Sequence, residues 1–384
     1  MNQARKSSKS SRPAHTNQAS QADPFDLEER PVLPDEPRRH GIGVAGAGGI
    51  VEASHLPAYQ QAGFRVEGIH DLDHARAERL AAQFGIPRVC GTLDELLALE
   101  GVDVVDIAVP ARAQPEIALR ALAAGKHLLC QKPFAESFGD AQRIVEAAGL
   151  AGRTVAVNQN MRYSPAVSAL RTLLERGWLG DPLSAEIQVN VKTPWDLWEW
   201  ILPLERLEIM YHSIHYLDAL RTLLGDPESV YCTGQRYPGQ QARGETRTTT
   251  LLEYGANDPR RGLVRVEHNN PNDERDWSCT YRLEGTAGTA KGTFGALFGY
   301  PVGVNDSMMY RAPVVTGDAW VTPLLRGRWL REGFVGTMAA LLRALDAGQE
   351  PAHSGRDNLR TLQLVFAAYA SMAEHRPVQL AGTG

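Results

Sequence analysis

Residues 41–51, GIGVAGAGGIV, decide the fold of this chain. The first five residues predict a short buried strand, the glycines predict a tight turn, and a helix is expected from about residue 50. Such a turn lets the backbone approach a phosphate group at a helix N-terminus. The residues predicted to contact a dinucleotide here are Gly46, Gly48, Gly49 and Ile50. The third glycine position holds Val51, so the motif is partial, and a plain strand-to-helix turn is the alternative.

Strand and helix patterns alternate regularly after this turn. Further strands are expected at 65–70, 102–108, 127–130 and 154–157, with helices at 74–84, 115–124 and 137–148. This rhythm is typical of βαβ units. It predicts an NAD(P)-binding Rossmann domain, a doubly wound parallel sheet, over residues 41–158.

The pattern changes after Asn158. Longer strands of alternating polarity are expected at 183–191, 246–254, 262–268 and 279–284, with closing helices near 335–347 and 355–373. They predict an α+β domain over residues 159–384 with a large, mainly antiparallel open sheet. The whole chain is therefore placed in the α/β class. Because an open sheet usually needs a covering partner, we expect a homodimer or homotetramer through this sheet.

The first 40 residues differ in composition from the rest. They are rich in Ser, Gln and charged residues and contain five prolines, which disfavour a helix. Such a segment buries too little apolar area to offset its ordering entropy. A flexible N-terminal tail is predicted for residues 1–40, and an arm that wraps a neighbouring subunit is the alternative.

Composition excludes several classes of function. The 384 residues are 43% hydrophobic and carry a formal charge of -5, so no basic excess points to nucleic acid. No apolar run reaches the roughly 18 residues that a membrane span needs. The four cysteines are far apart, without the spacing of a disulfide framework or a zinc site. These features favour a cytoplasmic protein with no metal site.

Asp71 bears on the choice of dinucleotide. It ends the strand expected at 65–70 and lies 25 residues after Gly46. A carboxylate there can bind the adenosine ribose and would repel a 2′-phosphate, which favours NAD. NADP remains possible because Arg76 is close in sequence. If Asp71 is only a solvated turn residue, Asp73 is still the better cap for the next helix.

Several short motifs follow in order along both predicted domains. They are HLPA at 55–58, AGKH at 124–127, CQKP at 130–133, HYLD at 215–218, GRDN at 355–358 and RPV at 376–378. Together they resemble the glucose-fructose oxidoreductase and inositol dehydrogenase family, called Gfo/Idh/MocA. The resemblance implies a dinucleotide beside Pro110, Gln131 and Lys132, and oxidation of a sugar or cyclitol hydroxyl, or the reverse reduction, between the domains. Gln131 stands where the family usually has Glu.

Lys132 and His215 can supply the chemistry of such a reaction. Removing a hydride from a C–H bond requires the adjacent hydroxyl to lose its proton, so the site needs a base and a cation that stabilises the alkoxide. Lys132 follows an apolar strand and precedes Pro133. This places it at the carboxyl end of a parallel strand, where α/β sheets bind ligands. His215 is predicted to be the base.

Tyr211 departs from the family pattern, which commonly has Asp four residues before the histidine. A tyrosine hydroxyl, with an ordinary pKa of about 10, acts as a hydrogen-bond donor instead of an anion. The predicted catalytic residues are thus Lys132, His215 and Tyr211, with His212 and Glu208 as candidates to compensate. A packing role is the favoured alternative for His212. A metal site of His212, His215 and Asp218 is disfavoured.

Aromatic residues point to the substrate. Three of the seven tryptophans lie within residues 195–200. Indole faces stack on the apolar faces of sugar rings, although packing at a subunit interface is an equal alternative. The predicted substrate contacts are Trp195, Trp198, His212, His215 and Arg162, the last in a segment that resembles a family crossing between domains. The motifs hold no basic cluster, which favours a neutral sugar or polyol over a phosphosugar.

Two classes of function remain open. The leading hypothesis is an NAD-dependent dehydrogenase acting on a CH–OH group of a carbohydrate. The alternative is a non-catalytic, nucleotide-sensing regulatory protein with the same fold. Tyr211 supports that alternative, while the presence of both Lys132 and His215 argues against it.

Overall fold

The computed structural model describes residues 23–27 and 30–380. Within these residues the strands form two sheets, one of five strands and one of eight. The five-stranded sheet is parallel and the eight-stranded sheet is mainly antiparallel. These two sheets confirm the predicted α/β class.

Sheet A, the five-stranded sheet, has the order β2-β1-β3-β4-β5. Its strands are β1 (Gly41–Ala45), β2 (Arg65–His70), β3 (Val104–Ile107), β4 (His127–Cys130) and β5 (Val155–Val157). The helices between them are α1 (Leu56–Ala62), α2 (His74–Phe84), α3 (Leu93–Leu97), α4 (Gln114–Ala123) and α5 (Phe138–Ala151). Because the winding direction reverses between β1 and β3, a crevice opens there at the carboxyl ends of the strands.

Local sequence explains where these elements begin and end. Asp73 caps α2, as predicted, because its side chain accepts a hydrogen bond from the N–H of Arg76. Gly85 ends the same helix with a φ of 68°, a conformation that glycine adopts without strain. Strands β1 and β3 to β5 are almost wholly buried because helices cover both faces of a parallel sheet.

Sheet B, the eight-stranded sheet, has the order β12-β11-β10-β6-β9-β8-β7-β13. Among the described strands of this sheet, only β6 and β9 pair in parallel. The strands are β6 (Pro182–Asn190), β7 (Ser229–Gln235), β8 (Arg247–Glu253), β9 (Arg261–Glu267), β10 (Ser278–Gly285), β11 (Thr289–Thr293), β12 (Ser307–Arg311) and β13 (Val378–Gln379). The accompanying helices are α6 (Pro165–Glu175), α7 (Ile214–Leu224), α8 (Pro313–Thr316), α9 (Trp329–Ala347) and α10 (Gly355–Glu374). Along β10, buried Cys279 and Tyr281 alternate with partly exposed Thr280 and Arg282, the pattern of a sheet with one covered face.

Helix α9 connects the two halves of the molecule. Although it follows sheet B in the chain, its Phe334 and Met338 pack with Ile42 and Tyr59 in the core beside β1. The Rossmann sheet and the second half of the chain therefore share apolar packing through this helix.

Part of the segment expected to be a flexible tail contacts the folded chain. Leu27 is fully buried in the core, and the Tyr310 hydroxyl donates to the carbonyl oxygen of Pro24 at 2.8 Å. Residues 23–27 thus dock beside β12, a long-range contact that local composition does not reveal. The tail prediction for residues 1–22 and 28–29 lies outside the described residues.

Three features bear on the surroundings of the protein. In the part of the chain that the structure describes, no helix is both long and apolar enough to cross a membrane. All four cysteines are buried and carry free thiols. Residues 23–27 and 30–380 hold no group of three or more His, Cys, Asp or Glu side chains arranged to bind a metal ion.

Candidate active site

The glycine turn lies where β1 and β3 end. Gly46 has a φ of 115°, and a Cβ there would lie 2.5 Å from the carbonyl oxygen of Ala108, so only glycine fits. Gly48 and Gly49 face open space, with nothing within 4 Å of an added Cβ. Beside the turn lie Ile50, partly buried, and Pro110, exposed after β3. This open backbone at the start of a helix fits the pyrophosphate of a dinucleotide.

Asp71 lies against the same turn. Its Oδ2 accepts a hydrogen bond from the N–H of Ala47 at 2.6 Å, and its Oδ1 accepts one from the N–H of Asp73 at 2.8 Å. Each carboxylate oxygen keeps a lone pair for a ribose hydroxyl. The Nε of Arg76 pairs with Asp73 at 2.9 Å on the surface. The carboxylate is thus fixed at the turn, and the guanidinium has a partner of its own.

Lys132 lies two residues after the end of β4, at the carboxyl edge of sheet A. Its Nζ donates a hydrogen bond to the backbone carbonyl oxygen of Tyr211 at 2.6 Å. Burial lowers the pKa of this lysine to about 8. An amine of the first domain is therefore anchored on the second domain, and it is mostly charged at neutral pH.

Two histidines follow Tyr211 within about one helical turn. Burial, and after it the charge of Lys132, lowers the pKa of His215 well below 6.5. Burial also lowers the pKa of His212, with further effects from His268, Lys132 and His215. Both imidazoles are therefore neutral at physiological pH and able to accept a proton. The structure thus brings together Lys132, His212 and His215.

The phenol of Tyr211 is hydrogen-bonded to Glu136, a partner that the sequence analysis did not predict. Its hydroxyl donates to Oε1 of Glu136 at 2.7 Å, and the ring packs edge-on against Trp200 at 5.6 Å. Burial and the bond to Glu136 raise the pKa of the phenol above its usual value. In this arrangement Tyr211 holds Lys132 through its backbone carbonyl, and its hydroxyl joins the two domains.

The side chain of Gln131 is held by a buried chain of hydrogen bonds through His55 and Asp106. Its Nε2 donates to Nε2 of His55 at 3.1 Å, and Nδ1 of His55 donates to Oδ2 of Asp106 at 2.6 Å. Its Oε1 accepts a bond from the N–H of Lys132 at 2.8 Å. His55 and Asp106 are fully buried. This chain fixes the backbone that carries Lys132, and Gln131 retains one N–H for a ribose contact.

The guanidinium of Arg162 lies in a buried ion-pair network, whereas the sequence predicted that it contacts the substrate. It makes a two-pronged contact with Asp218 and also pairs with Asp357, while its Nη1 donates to the carbonyl oxygen of Ala352 at 2.7 Å. These contacts use most of its donors inside the protein. They also engage Asp218, which therefore does not join the two histidines as a metal ligand.

The tryptophans predicted to stack on a sugar ring are largely covered. Trp195 is 9% exposed, and its ring contacts those of His212 and His268, with centroids 5.6 and 5.4 Å away. Trp198 packs edge-on against Tyr300 at 5.2 Å. Trp195 thus has no open face for stacking, although its ring lies next to the histidine cluster.

His268 is a site residue that sequence reasoning missed. It follows β9, is 2% exposed, and its ring centroid lies 4.6 Å from that of His212. Its Nε2 lies 3.7 Å from Oε1 of Glu208, which is fully buried. A lone histidine after a strand was the only signal, since the strand that brings it to His212 is distant in sequence.

The fold and the site together define a class of protein, the two-domain oxidoreductases that use a nicotinamide dinucleotide. The chain belongs to the Gfo/Idh/MocA oxidoreductase family. The model of the family's NAD-binding Rossmann fold matches residues 40–159, and that of its C-terminal domain matches residues 167–291. These matches confirm the resemblance and the NAD-binding assignment of the first domain.

Known relatives cover most of the chain. The D-apiose dehydrogenase of Paraburkholderia graminis is 29% identical over 346 residues, 86% of this chain and 88% of its own. The D-xylose 1-dehydrogenase (NADP(+)) 2 of Haloferax volcanii is 24% identical over 88% of this chain and 99% of its own. A solved oxidoreductase of Agrobacterium radiobacter, in complex with NAD+, L-tartaric acid and magnesium, superposes with a TM-score of 0.77 at 26% identity, over 89% of this chain and 98% of that one. All three are oxidoreductases and give no support to the nucleotide-sensing alternative.

Proposed function

We propose that this protein is an NAD-dependent dehydrogenase that oxidises a CH–OH group of a neutral sugar or polyol, or reduces the corresponding carbonyl. The observation that carries the proposal is the hydrogen bond of 2.6 Å from Nζ of Lys132 to the carbonyl oxygen of Tyr211. Tyr211 precedes His212 and His215 within about one helical turn. The relatives named as D-apiose and D-xylose dehydrogenases support a carbohydrate substrate.

Lys132 and His215 act on the same substrate hydroxyl in two different roles. Bound NAD supplies the nicotinamide ring that accepts the hydride. The ammonium of Lys132 donates a hydrogen bond to the substrate oxygen and stabilises the negative charge that develops on it. The neutral imidazole of His215 takes the hydroxyl proton. Tyr211 takes part through its carbonyl oxygen, which orients the ammonium without neutralising it.

The residues around the glycine turn favour NAD over NADP. The Asp71 carboxylate, held 2.6 Å from the N–H of Ala47, is placed to bind ribose hydroxyls and to repel a 2′-phosphate. Arg76, the candidate phosphate ligand, is paired with Asp73. NADP is the second possibility.

A substrate panel tests the proposal. Aldoses and polyols, among them D-apiose, D-xylose and myo-inositol, are incubated with NAD or NADP, and reduced nicotinamide is followed by absorbance. We expect turnover with at least one of these compounds and a higher kcat/KM with NAD than with NADP. A full panel that produces no reduced nicotinamide with either dinucleotide would contradict the proposed function.

We further propose a homodimer or homotetramer through sheet B and a cytoplasmic location. The outward face of sheet B carries an open cleft lined by residues of β6, β10, β11 and β12, and a second copy would cover it. The four buried free thiols are compatible with a reducing compartment.

A further inference from the structure

Three side chains next to the proposed catalytic residues bury nitrogen atoms that make no hydrogen bond to any described residue. These atoms are Nε1 of Trp195, Nδ1 of His212 and Nε2 of His268. Trp195 is 9% exposed and His268 is 2% exposed. A buried polar group without a hydrogen bond is costly, and three in adjacent rings call for a bound group that pairs with them.

These side chains adjoin the anchor point of Lys132. The Lys132 ammonium donates to the carbonyl of Tyr211, and His212 is the next residue along the chain. The rings of Trp195 and His268 both contact the ring of His212. A group bound by these three side chains would thus belong to the same small molecule as the hydroxyl that Lys132 holds.

Charge restricts what this group can be. Glu208 is fully buried, its Oε1 lies 3.7 Å from Nε2 of His268, and it accepts hydrogen bonds from the hydroxyls of Ser213 and Thr248. A buried carboxylate at this position repels an anionic ligand. An indole N–H only donates, and a neutral imidazole donates at one nitrogen and accepts at the other. An alcohol hydroxyl, which is neutral and both donates and accepts, satisfies this set.

One of the histidines is also held in place. Nδ1 of His268 is hydrogen-bonded to Oγ1 of Thr193 at 2.6 Å, so its Nε2 side has a fixed direction. Rings that are fixed by packing and hydrogen bonds recognise a polar group with less loss of entropy.

We propose that Trp195, His212 and His268 form a subsite for a second hydroxyl of the substrate, on the carbon next to the one oxidised. The enzyme then requires a substrate with two neighbouring hydroxyls. Trp195 contributes its N–H to this subsite and not its aromatic face. The position next to the oxidised carbon rests on the proposed function.

Binding is tested first, independently of turnover. The full-length protein, saturated with NAD and carrying isotopically labelled tryptophan, is titrated with erythritol, which has a hydroxyl on every carbon, and with butanol, which has one. The indole N–H resonance of Trp195, identified by its loss in Trp195→Phe, is expected to shift saturably with erythritol and not with butanol. No shift at about 100 mM erythritol, far above common KM values of up to about 1 mM, would overturn the subsite. Equal shifts with both alcohols would also overturn it.

Turnover provides the second readout. Trp195→Phe removes the N–H and keeps most of the ring, so kcat/KM for a sugar with neighbouring hydroxyls should fall about 10-fold. The value for the analogue that lacks the second hydroxyl should stay the same. Trp320→Phe is the matched control, because that ring is exposed and packs on Lys291 of β11, and it should preserve the discrimination. Equal losses for both substrates in Trp195→Phe would contradict the subsite.

The two hypotheses can fail separately. An erythritol-dependent shift of Trp195 in a protein that reduces no dinucleotide would support the hydroxyl subsite and contradict the proposed dehydrogenase. Turnover of sugars without any shift of Trp195 would support the dehydrogenase and contradict the subsite.

Discussion

Lys132 is anchored by a neutral carbonyl oxygen and not by a carboxylate. This difference matters because an ion pair would stabilise the charged lysine and absorb much of its positive potential. The carbonyl of Tyr211 orients the ammonium at 2.6 Å and leaves its charge available to a substrate alkoxide. Burial alone then sets the direction of its pKa shift, which is downward.

The pH dependence of oxidation follows from this arrangement. Lys132 must be protonated to stabilise the alkoxide, and its pKa is about 8, so kcat/KM should decline as the pH rises through that value. The imidazole of His215 stays unprotonated down to well below pH 6.5, so the fall of kcat/KM on the acid side should lie below pH 6.5. The profile is measured at saturating NAD.

A conservative variant controls this assignment. In Lys132→Arg the charge persists because a guanidinium has a pKa above about 12, so the alkaline decline should disappear. A wild-type profile that instead rises through pH 8 would identify the unprotonated lysine as the base and contradict its role as a cation.

The glycine turn, the first element of the active site, contains three glycines, of which Gly46 and Gly48 are under different constraints. An added Cβ at Gly46 would collide with the backbone of Ala108, directly after β3, whereas one at Gly48 would point into open space. The first glycine therefore serves the fold, and the second keeps space for the dinucleotide.

Two alanine variants separate these roles. Gly48→Ala should raise the Kd for NAD at least about 10-fold while the Tm stays unchanged, because the methyl occupies space that the pyrophosphate needs. Gly46→Ala should lower the free energy of unfolding by about 1–3 kcal/mol, through its positive φ and the clash with Ala108. Calorimetry measures both quantities. An unchanged Kd for NAD in Gly48→Ala would contradict the binding of the pyrophosphate at this turn.

The Arg162 network joins the start of α6 to α7 and α10. Arg162→Met would remove the two-pronged partner of the buried Asp218 and one partner of the partly buried Asp357. Because Arg221 remains close to both carboxylates, the free energy of unfolding should fall by about 3 kcal/mol, the low end for a broken buried pair. Arg171→Met, which breaks an exposed pair with Glu175, is the control and should change stability by about 0–1 kcal/mol. A raised KM with unchanged stability in Arg162→Met would instead restore its predicted contact with substrate.

The sequence predicted correctly those features whose cause lies in neighbouring residues of the chain. The apolar runs that became β1 to β5, the Asp73 cap and the position of Lys132 after β4 all depend on neighbouring residues. Contacts across the fold could not be read this way. The partner of the Tyr211 phenol comes from the other domain, and His268 reaches His212 only because β9 ends beside it. These distant contacts decide which side chains surround Lys132 and His212.

At the scale of the whole molecule, the cleft is defined by contacts that cross between the two domains. Lys132 and Glu136 of the first domain bind the carbonyl and the phenol of Tyr211, and α9 of the second half packs beside β1. This packing holds the dinucleotide turn and the histidines in a fixed relation. One face of sheet B is partly exposed and carries the open cleft lined by β6, β10, β11 and β12.

The assembly proposed for sheet B can be tested by molar mass in solution. The full chain should elute with the mass of a dimer or tetramer. Thr280→Glu, which adds a charge to the outward face of β10, should lower that mass without lowering the Tm, because the side chain is partly exposed in the single chain. A monomeric wild-type protein, or an unchanged assembly in the variant, would contradict this interface.

The central claim is that Lys132 acts on the reacting oxygen, and one measurement tests it most directly. NAD affinity and turnover are compared in the wild type and in Lys132→Met, with the best sugar or polyol of the panel. Loss of the ammonium should lower kcat by about 10²-fold or more and leave the Kd for NAD unchanged. Near-normal turnover in Lys132→Met with intact NAD binding would contradict the account.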